Sequence, residues 1–436
     1  MSAISIRTRA LGGLALAATS ALVLAGCASG STSGGDTGSY AAADCAADST
    51  SENTFKVGTI LPITGSLAFL GPPEIAGAGL AVADINAAGG VNGSKACLVS
   101  TDSGDSSDMT VSTASAEDLI KQKVSVVIGA ASSSVSLNVV DSFTEAKIVE
   151  ISPANTAAKL SGYSPFYFRT APPDTVQGSA LGQLIVGDGN ANVAFIVFND
   201  AYGTGLRDST AMAVEEGGGM VTYGANGAGQ EFPPGQTTFS AEVTAAIASA
   251  PDAIVVIAFD ETKAIIPELV AQGWDMSKVY FTDGNTGSFE KDFEPGTLAG
   301  AQGTIPGAKA EGTFKDNMTA YWTAVQGEAL TDWSYGAESY DATILAALAA
   351  TKGGKTDPVT IQANLAAVSG ANGGEKCTTY ADCVALIKDG KDVQYQGPSG
   401  VGPFNKNNDP SSAFVGIYKY DDKNVPVWAS AVEGKS

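Results

Sequence analysis

Five short loops carry the side chains whose types and spacing could hold or transform a small molecule. Ser132-Ser133-Ser134 follows the apolar run 124–130 and opens a helical stretch. Backbone N–H groups and hydroxyls would converge there, and that chemistry suits a carboxylate. A plain serine helix cap would use the same residues. A serine nucleophile would need a GxSxG elbow, which is missing. At the next strand end, Ala154 and Thr156 in the run 152–156 offer a carbonyl, free amides and a hydroxyl to the same crevice, though a simple turn would look alike. In the run 199–205, Tyr202 could cover an apolar ligand and donate its hydroxyl, while Asp200 fits a helix cap. Asp283, in the run 283–287, is the expected partner for a ligand ammonium group, or else half of an Asp-Gly turn. The fifth loop, 62–73, is rich in proline and glycine and contains Leu70.

Other chemistry is excluded or weakened by what the chain lacks. It has no histidine, which removes Ser-His-Asp and Cys-His catalysis and histidine-ligated metal centres. Beyond the first 26 residues the only arginines are Arg169 and Arg207, so a double-arginine clamp for phosphate or a dicarboxylate is poorly supported. No P-loop or GxGxxG fingerprint follows a strand. No cofactor and no metal are expected, and no catalytic residue is assigned. Trp274, Trp322, Trp333 and Trp428 are expected to be packing anchors rather than ligand contacts.

The elements that must position these loops alternate in kind. Strand-like runs at 55–61, 96–102, 124–130 and 147–152 are separated by helical stretches from 74, through 116–122 and near 135–146. After Pro172-Pro173 a second series begins, with strands at 193–200, 253–260 and 279–284 and helices through 206–216 and 265–272. Helices at 313–326, 335–351 and 358–367 follow, then a turn-rich stretch 370–402 and strand-like runs at 413–420 and 425–430. Two βα series in succession predict two doubly wound α/β lobes with parallel sheets. The five loops all fall at C-terminal strand ends, where ligands of such sheets bind. The expected division is 53–172 with 307–410 for lobe 1, and 173–306 with 411–436 for lobe 2.

The first 26 residues read as an export signal, with Arg7 and Arg9 before an uncharged apolar run too short to span a membrane. The run ends in Leu24-Ala25-Gly26-Cys27, which resembles a bacterial lipobox, so Cys27 is the expected lipidation site; an ordinary cleaved signal is the alternative. Residues 27–52 then serve as lipid anchor and flexible tether. No second apolar run of membrane-spanning length appears, so contact with the membrane is expected through the lipid alone. The net charge is −22, and −24 once Arg7 and Arg9 are set aside, which argues against nucleic acid and anionic lipid as partners. Four later cysteines, Cys45, Cys97, Cys377 and Cys383, are an even set in an oxidising compartment. Of three possible pairings, Cys45 with Cys97 and Cys377 with Cys383 is preferred. A zinc site is the competing reading, weakened by the missing CxxC knuckles.

Together, VGTILPITGSLAFLGPPEIAGAGLAVADINAAGGVNG, VVIGAASSS, ISPANTAAKL with YFRTAPPD, FNDAYGTGL and YFTDGN resemble the leucine/isoleucine/valine-binding receptors of ABC importers, over residues 55–428. The resemblance implies a type I periplasmic-binding-protein fold, two lobes joined by a three-crossing hinge, in a monomer that closes on its ligand. It further implies a lipoprotein receptor that presents an amino acid to ABC permease subunits. Ser132, Ser133 and Ser134 would take the ligand carboxylate, Ala154 and Thr156 would add a carbonyl and a hydroxyl, Asp283 would meet the ammonium, and Tyr202 would cover the ligand. Leu70 stands where family members often place an aromatic, and Asp283 where they carry the longer Glu. These departures alter the pocket wall and loosen the link to branched-chain selectivity, leaving an amino-acid-type ligand. Related receptors for a short amide or urea are the alternative, as is a sensor acting through a signalling partner.

Overall fold

β-branched runs become strands and amphipathic runs become the helices that cover them. The computed structural model describes residues 40–41, 43–46, 49, 54–307 and 312–435. The expected leader, Cys27 and most of the expected tether lie outside the described residues. In chain order, the first series is β1 (Phe55–Leu61), α1 (Gly71–Ala87), β2 (Ala96–Asp102), α2 (Met109–Lys121), β3 (Val126–Gly129), α3 (Ser133–Glu145), β4 (Glu150–Ser152) and β5 (Tyr167–Arg169). The second is α4 (Asp174–Gly187), β6 (Asn192–Val197), α5 (Ala201–Glu216), β7 (Met220–Tyr223), α6 (Ser240–Ala248), β8 (Ala253–Ile257), α7 (Thr262–Ala271), β9 (Val279–Phe281) and β10 (Gln302–Pro306). The chain continues through α8 (Gly312–Gln326), α9 (Gly336–Gly353), α10 (Pro358–Val368), β11 (Glu375–Cys377), α11 (Tyr380–Lys388) and β12 (Val393–Tyr395), and ends with β13 (Ser412–Tyr420) and β14 (Pro426–Lys435).

The first sheet runs β2-β1-β3-β4-β5 with every pairing parallel. All seven residues of β1 are buried, because helices cover both faces. Residues of α1, α8, α9 and α10 pack one face, and those of α2 and α3 the other. Helix α1 comes very close to α9: a Cβ on Gly77 would stand 2.1 Å from the Gly336 carbonyl oxygen, so only glycine fits. The second sheet runs β14-β13-β10-β9-β8-β6-β7. Its first five strands in the chain are parallel, and β13 and β14 form an antiparallel edge. That edge departs from an all-parallel lobe. Its cause is local, since the chain re-enters the sheet late and turns straight back on itself as a hairpin.

The chain crosses between the two sheets after β5, after β10 and before β13. Arg169, completely buried, ties two of these crossings by an ion pair with Asp409 at 2.6 Å. Its other donors reach the carbonyls of Asn155 (3.3 Å) and Ala157 (2.9 Å) and the Ser161 hydroxyl (2.6 Å). The arginine therefore holds the hinge and the 152–157 loop with one planar group. Gln177 of α4 donates to Thr304 of β10, holding that helix to the strand from which the chain leaves the second sheet.

The cysteines pair as Cys45–Cys97 and Cys377–Cys383. The first bond fixes 43–45 beside β2, where the Cys45 N–H donates to the Leu98 carbonyl and the Leu98 N–H to that of Ala43. Tyr40 packs edge-on against Tyr321 of α8. The start of the described chain is thus fastened to the first lobe. Among the described residues no helix is long and apolar enough to cross a membrane.

Candidate functional site

The strand-end loops of both lobes meet at one small cavity. It is lined by Leu67, Leu70, Ala131, Ser132, Ser133 and Ala154 from the first lobe and by Tyr202, Phe259, Asp283 and Gly284 from the second, with Tyr335 from the head of α9. Only about 10 Å³ of free space remains between these walls, on the order of one water molecule.

The serine loop owes its shape to Gly129, at φ +126°, where a Cβ would lie 2.2 Å from the Ile60 carbonyl of β1. Ser132 takes the N-cap position of α3 in extended geometry, yet its hydroxyl makes no capping bond. The Ser132 oxygen is buried and, among the described residues, has no hydrogen-bond partner. Its neighbours differ. The Ser133 hydroxyl accepts from the Ala157 N–H at 3.2 Å and so supports the adjoining loop. The Ser134 hydroxyl donates to Asp200 at 3.2 Å and accepts from the Ala201 N–H at 3.1 Å, spanning the lobes as a latch. Ser134 and Thr156 are outside the cavity lining, whereas Ser132, Ser133, Ala154, Leu70, Tyr202 and Asp283 form part of it.

The 152–157 loop is built from side chain to backbone. Ser152 donates to the Ala130 carbonyl at 2.6 Å and receives the Asn155 N–H at 2.9 Å. Asn155 donates to the Ala131 carbonyl at 2.7 Å and accepts the Tyr167 hydroxyl at 2.8 Å. The first-lobe loops that carry Ser132 and Ala154 are thereby one hydrogen-bonded unit. Behind them Glu150 is completely buried, with Ser136 donating to it at 2.8 Å, and burial raises its pKa to about 8.

On the second lobe, Asp200 caps α5 through the Gly203 N–H at 2.7 Å, and burial lifts its pKa to about 6. The cap points Tyr202 into the cleft, where its ring stacks on Phe259 at 5.3 Å between centroids. The Tyr202 hydroxyl donates to Asp283 at 2.9 Å, and the Tyr335 hydroxyl donates to the other carboxylate oxygen at 2.6 Å. Burial pushes the Asp283 pKa up, while the tyrosine hydrogen bonds pull it down. Gly284 keeps the wall thin, since a Cβ there would meet Phe259 and the Tyr202 hydroxyl at 2.8 and 2.9 Å.

Arg169 and Arg207 are both engaged away from the cavity. Arg169 holds the hinge, and Arg207 pairs with Asp208 and Glu231. The cavity thus offers an unengaged hydroxyl at a helix start on one side, a buried carboxylate on the other and aromatic walls between. That arrangement suits a small zwitterion with an apolar body. Of the lining residues, sequence reasoning missed Tyr335 altogether; Leu67, Ala131 and Gly284 fall in the loops it singled out and Phe259 in the strand end 258–260, but none of the four was assigned a role. The one local signal for Tyr335 was an aromatic residue directly before the glycine that opens α9.

A family model described as periplasmic binding protein matches residues 54–383. The chain is 30% identical over 191 residues to the Leu/Ile/Val-binding protein homolog 3 of Brucella melitensis, covering 43% of this chain and 50% of that one. It is 37% identical over 158 residues to an amino acid binding protein of Pseudomonas aeruginosa, covering 35% and 41%. The chain thus spans about half the length of the curated relatives it matches. The fold is similar to that of a branched-chain amino acid transporter substrate-binding protein of Streptococcus pneumoniae solved with isoleucine, at TM-score 0.70 and 23% identity, covering 88% of this chain and 100% of that one. It is also similar to a Rhodopseudomonas palustris solute-binding protein solved with 4-hydroxybenzoate, at TM-score 0.69 and 19% identity, covering 88% and 97%.

Proposed function

The chain belongs to the periplasmic binding protein family, a family of solute binders rather than catalysts, and from that premise we propose that it captures an aliphatic amino acid between its lobes and delivers it to the permease subunits of an ABC importer. One observation carries the amino-acid reading. The unengaged Ser132 hydroxyl and the buried Asp283 carboxylate line one cavity, yet come from different lobes. A ligand with a carboxylate and an ammonium group on one carbon would bridge them and draw the lobes together. The relatives named for amino acids support the same class, as does the neighbour solved with isoleucine. A benzoate-type ligand offers no ammonium to Asp283, so the buried acid favours the amino acid over the chemistry of the Rhodopseudomonas neighbour.

With so little space between the walls, entry requires the lobes to part. The moving bodies in this proposal are 53–172 with 307–410, and 173–306 with 411–436, turning on the three crossings. The family places the protein outside the cytoplasm. Cleavage after residue 26, lipid attachment at Cys27, a tether that ends where Tyr40 and Cys45 fasten the chain to the first lobe rather than at 52, and a monomeric state belong to the same proposal. The test is calorimetric titration of the purified protein with the aliphatic amino acids, a short amide and urea. Saturable binding of at least one amino acid is expected. Binding of the amide or urea alone would reassign the ligand, and no binding of any amino acid would refute the reading.

A further inference from the structure

The net charge of −22 is not spread evenly over the molecule. Four loops, 88–95, 122–125, 146–149 and 354–357, meet at the N-terminal edge of the first sheet, the pole of the first lobe opposite the cleft. Each carries one exposed lysine: Lys95, Lys123, Lys147 and Lys355. Among the described residues none of the four has an ion pair. The single acid in these loops is Asp357, which caps α10 through the Thr360 N–H and lies in the field of Lys355. Lys121 ends α2 beside them, as do Glu145 at the end of α3 and Asp118, which Gln122 engages. A chain with 46 acidic and 24 basic residues thus presents one pole where lysines outnumber acids.

Two further observations say what this pole meets. Lys123 and Lys355 line an open cavity of about 670 Å³ whose floor is apolar, made of Ile120, Val124, Ile148 and Pro358. Cationic ends over apolar ground suit a partner that is anionic at its surface and apolar beneath. The described chain also begins on this side. Residues 43–45 run parallel to β2 beside its first residues, so the chain reaches them from the N-terminal edge of the sheet. Tyr40 is the first described residue, and Cys27 precedes it by thirteen positions. Thirteen residues span at most about 45 Å when fully extended. A lipid on Cys27 would therefore keep this pole, rather than the cleft, close to a bilayer.

We propose that this pole of the first lobe is a membrane-facing surface, on which Lys95, Lys123, Lys147 and Lys355 rest against the anionic headgroups of the bilayer. Its nearness to the bilayer rests on the anchor reading; its attraction to anionic lipid does not. Headgroup charge acts on lysines within a Debye length, about 8–10 Å, so the pole is held while the acidic remainder of the surface is repelled. The cleft lies at the opposite ends of the same strands and then opens away from the membrane, towards incoming solute.

The experiment is co-sedimentation of full-length Cys27→Ala protein with vesicles of phosphatidylcholine alone or of equal parts phosphatidylcholine and phosphatidylglycerol. Because no lipid anchor is present, the surface and the anchor can fail separately. Binding to the anionic vesicles only, lost at high salt, is expected. Changing Lys95, Lys123, Lys147 and Lys355 together to Gln should weaken it about tenfold or more. The same change at Lys263, Lys291, Lys419 and Lys423, exposed on the second lobe, removes equal charge and should leave it intact. Equal binding to both vesicle types, no binding to either, or equal losses in the two variants would overturn the proposal. If the first variant does not fold, Lys123→Gln with Lys355→Gln takes its place, with a smaller loss expected and an unchanged affinity contradicting. Thermal stabilisation by inorganic phosphate without vesicle binding would mark a free-anion site and equally overturn it.

Discussion

Asp283 is a buried acid whose two oxygens receive hydroxyls from Tyr202 and Tyr335. Replacing it with alanine should weaken an ammonium-bearing ligand by about 2–5 kcal/mol, since the ligand charge would enter the closed cleft unpaired. Titration calorimetry checks this, and an unchanged affinity would remove Asp283 from the site. Glu150 gives a second prediction, on stability. Its pKa is raised from 4.5 to about 8 by burial, so the folded protein keeps a proton that the unfolded chain gives up between those values. The stabilisation from that proton is complete below the lower value and is lost as pH rises towards 8. Glu150→Gln, which does not titrate, should flatten the fall of the melting temperature between pH 5 and 8; an unaltered slope would contradict it. The residues legible from sequence, Ser132, Ala154, Tyr202 and Asp283, sit in loops that directly follow strands. Tyr335 was not legible, because it meets Asp283 from 52 positions away at the head of a helix packed on the other lobe.

At the scale of elements, the strand–helix alternation was visible wherever β-branched runs were flanked by turn residues. Helix α4 was hidden by Pro172-Pro173, which end the first series but also supply an extended residue, Pro173, at the N-cap of α4. In α1 the helix starts at Gly71, with Pro72 and Pro73 in its first turn where their missing N–H groups cost nothing. Between 370 and 402 the turn signals masked a real unit. Thr379 caps α11 through the Asp382 N–H, and β11 pairs parallel with β12. The antiparallel β13–β14 edge was equally hidden, because patterning marks strands and not their direction. The two disulfides differ in what they constrain. Cys45–Cys97 closes 52 residues and Cys377–Cys383 closes 6, so loop entropy gives about 4 and about 2 kcal/mol respectively. Denaturant unfolding of the two double alanine variants should therefore show the larger loss for Cys45 and Cys97. Equal losses would mean that strain or residual structure outweighs loop length.

For the whole molecule, the fold confines the chemistry to a cleft whose two walls belong to different sheets, and the hinge is stiffened by the buried Arg169–Asp409 pair. The start of the described chain is fastened to the first lobe by Cys45–Cys97 and by Tyr40 on Tyr321. A tether from a lipid on Cys27 would therefore hold the first lobe and leave the second free to swing, while keeping the receptor close to its permease. Cys27→Ala should release intact, ligand-competent protein from the membrane fraction, as cell fractionation and calorimetry would show. Retention of the variant in the membrane would refute the anchor. The two-lobed plan was legible because two βα series follow one another in the sequence. The small size of the closed cavity was not, because it depends on how side chains from seven separate segments pack together.

The central claim is that one amino acid bridges the two lobes, and a crystal structure of the protein with its tightest-binding amino acid tests it most directly. The ligand carboxylate should lie at Ser132 and the start of α3, with the ammonium at Asp283 and the apolar side chain against Leu67, Leu70 and Phe259. A ligand bound elsewhere, or with its ends reversed so that the carboxylate faces Asp283, would contradict it.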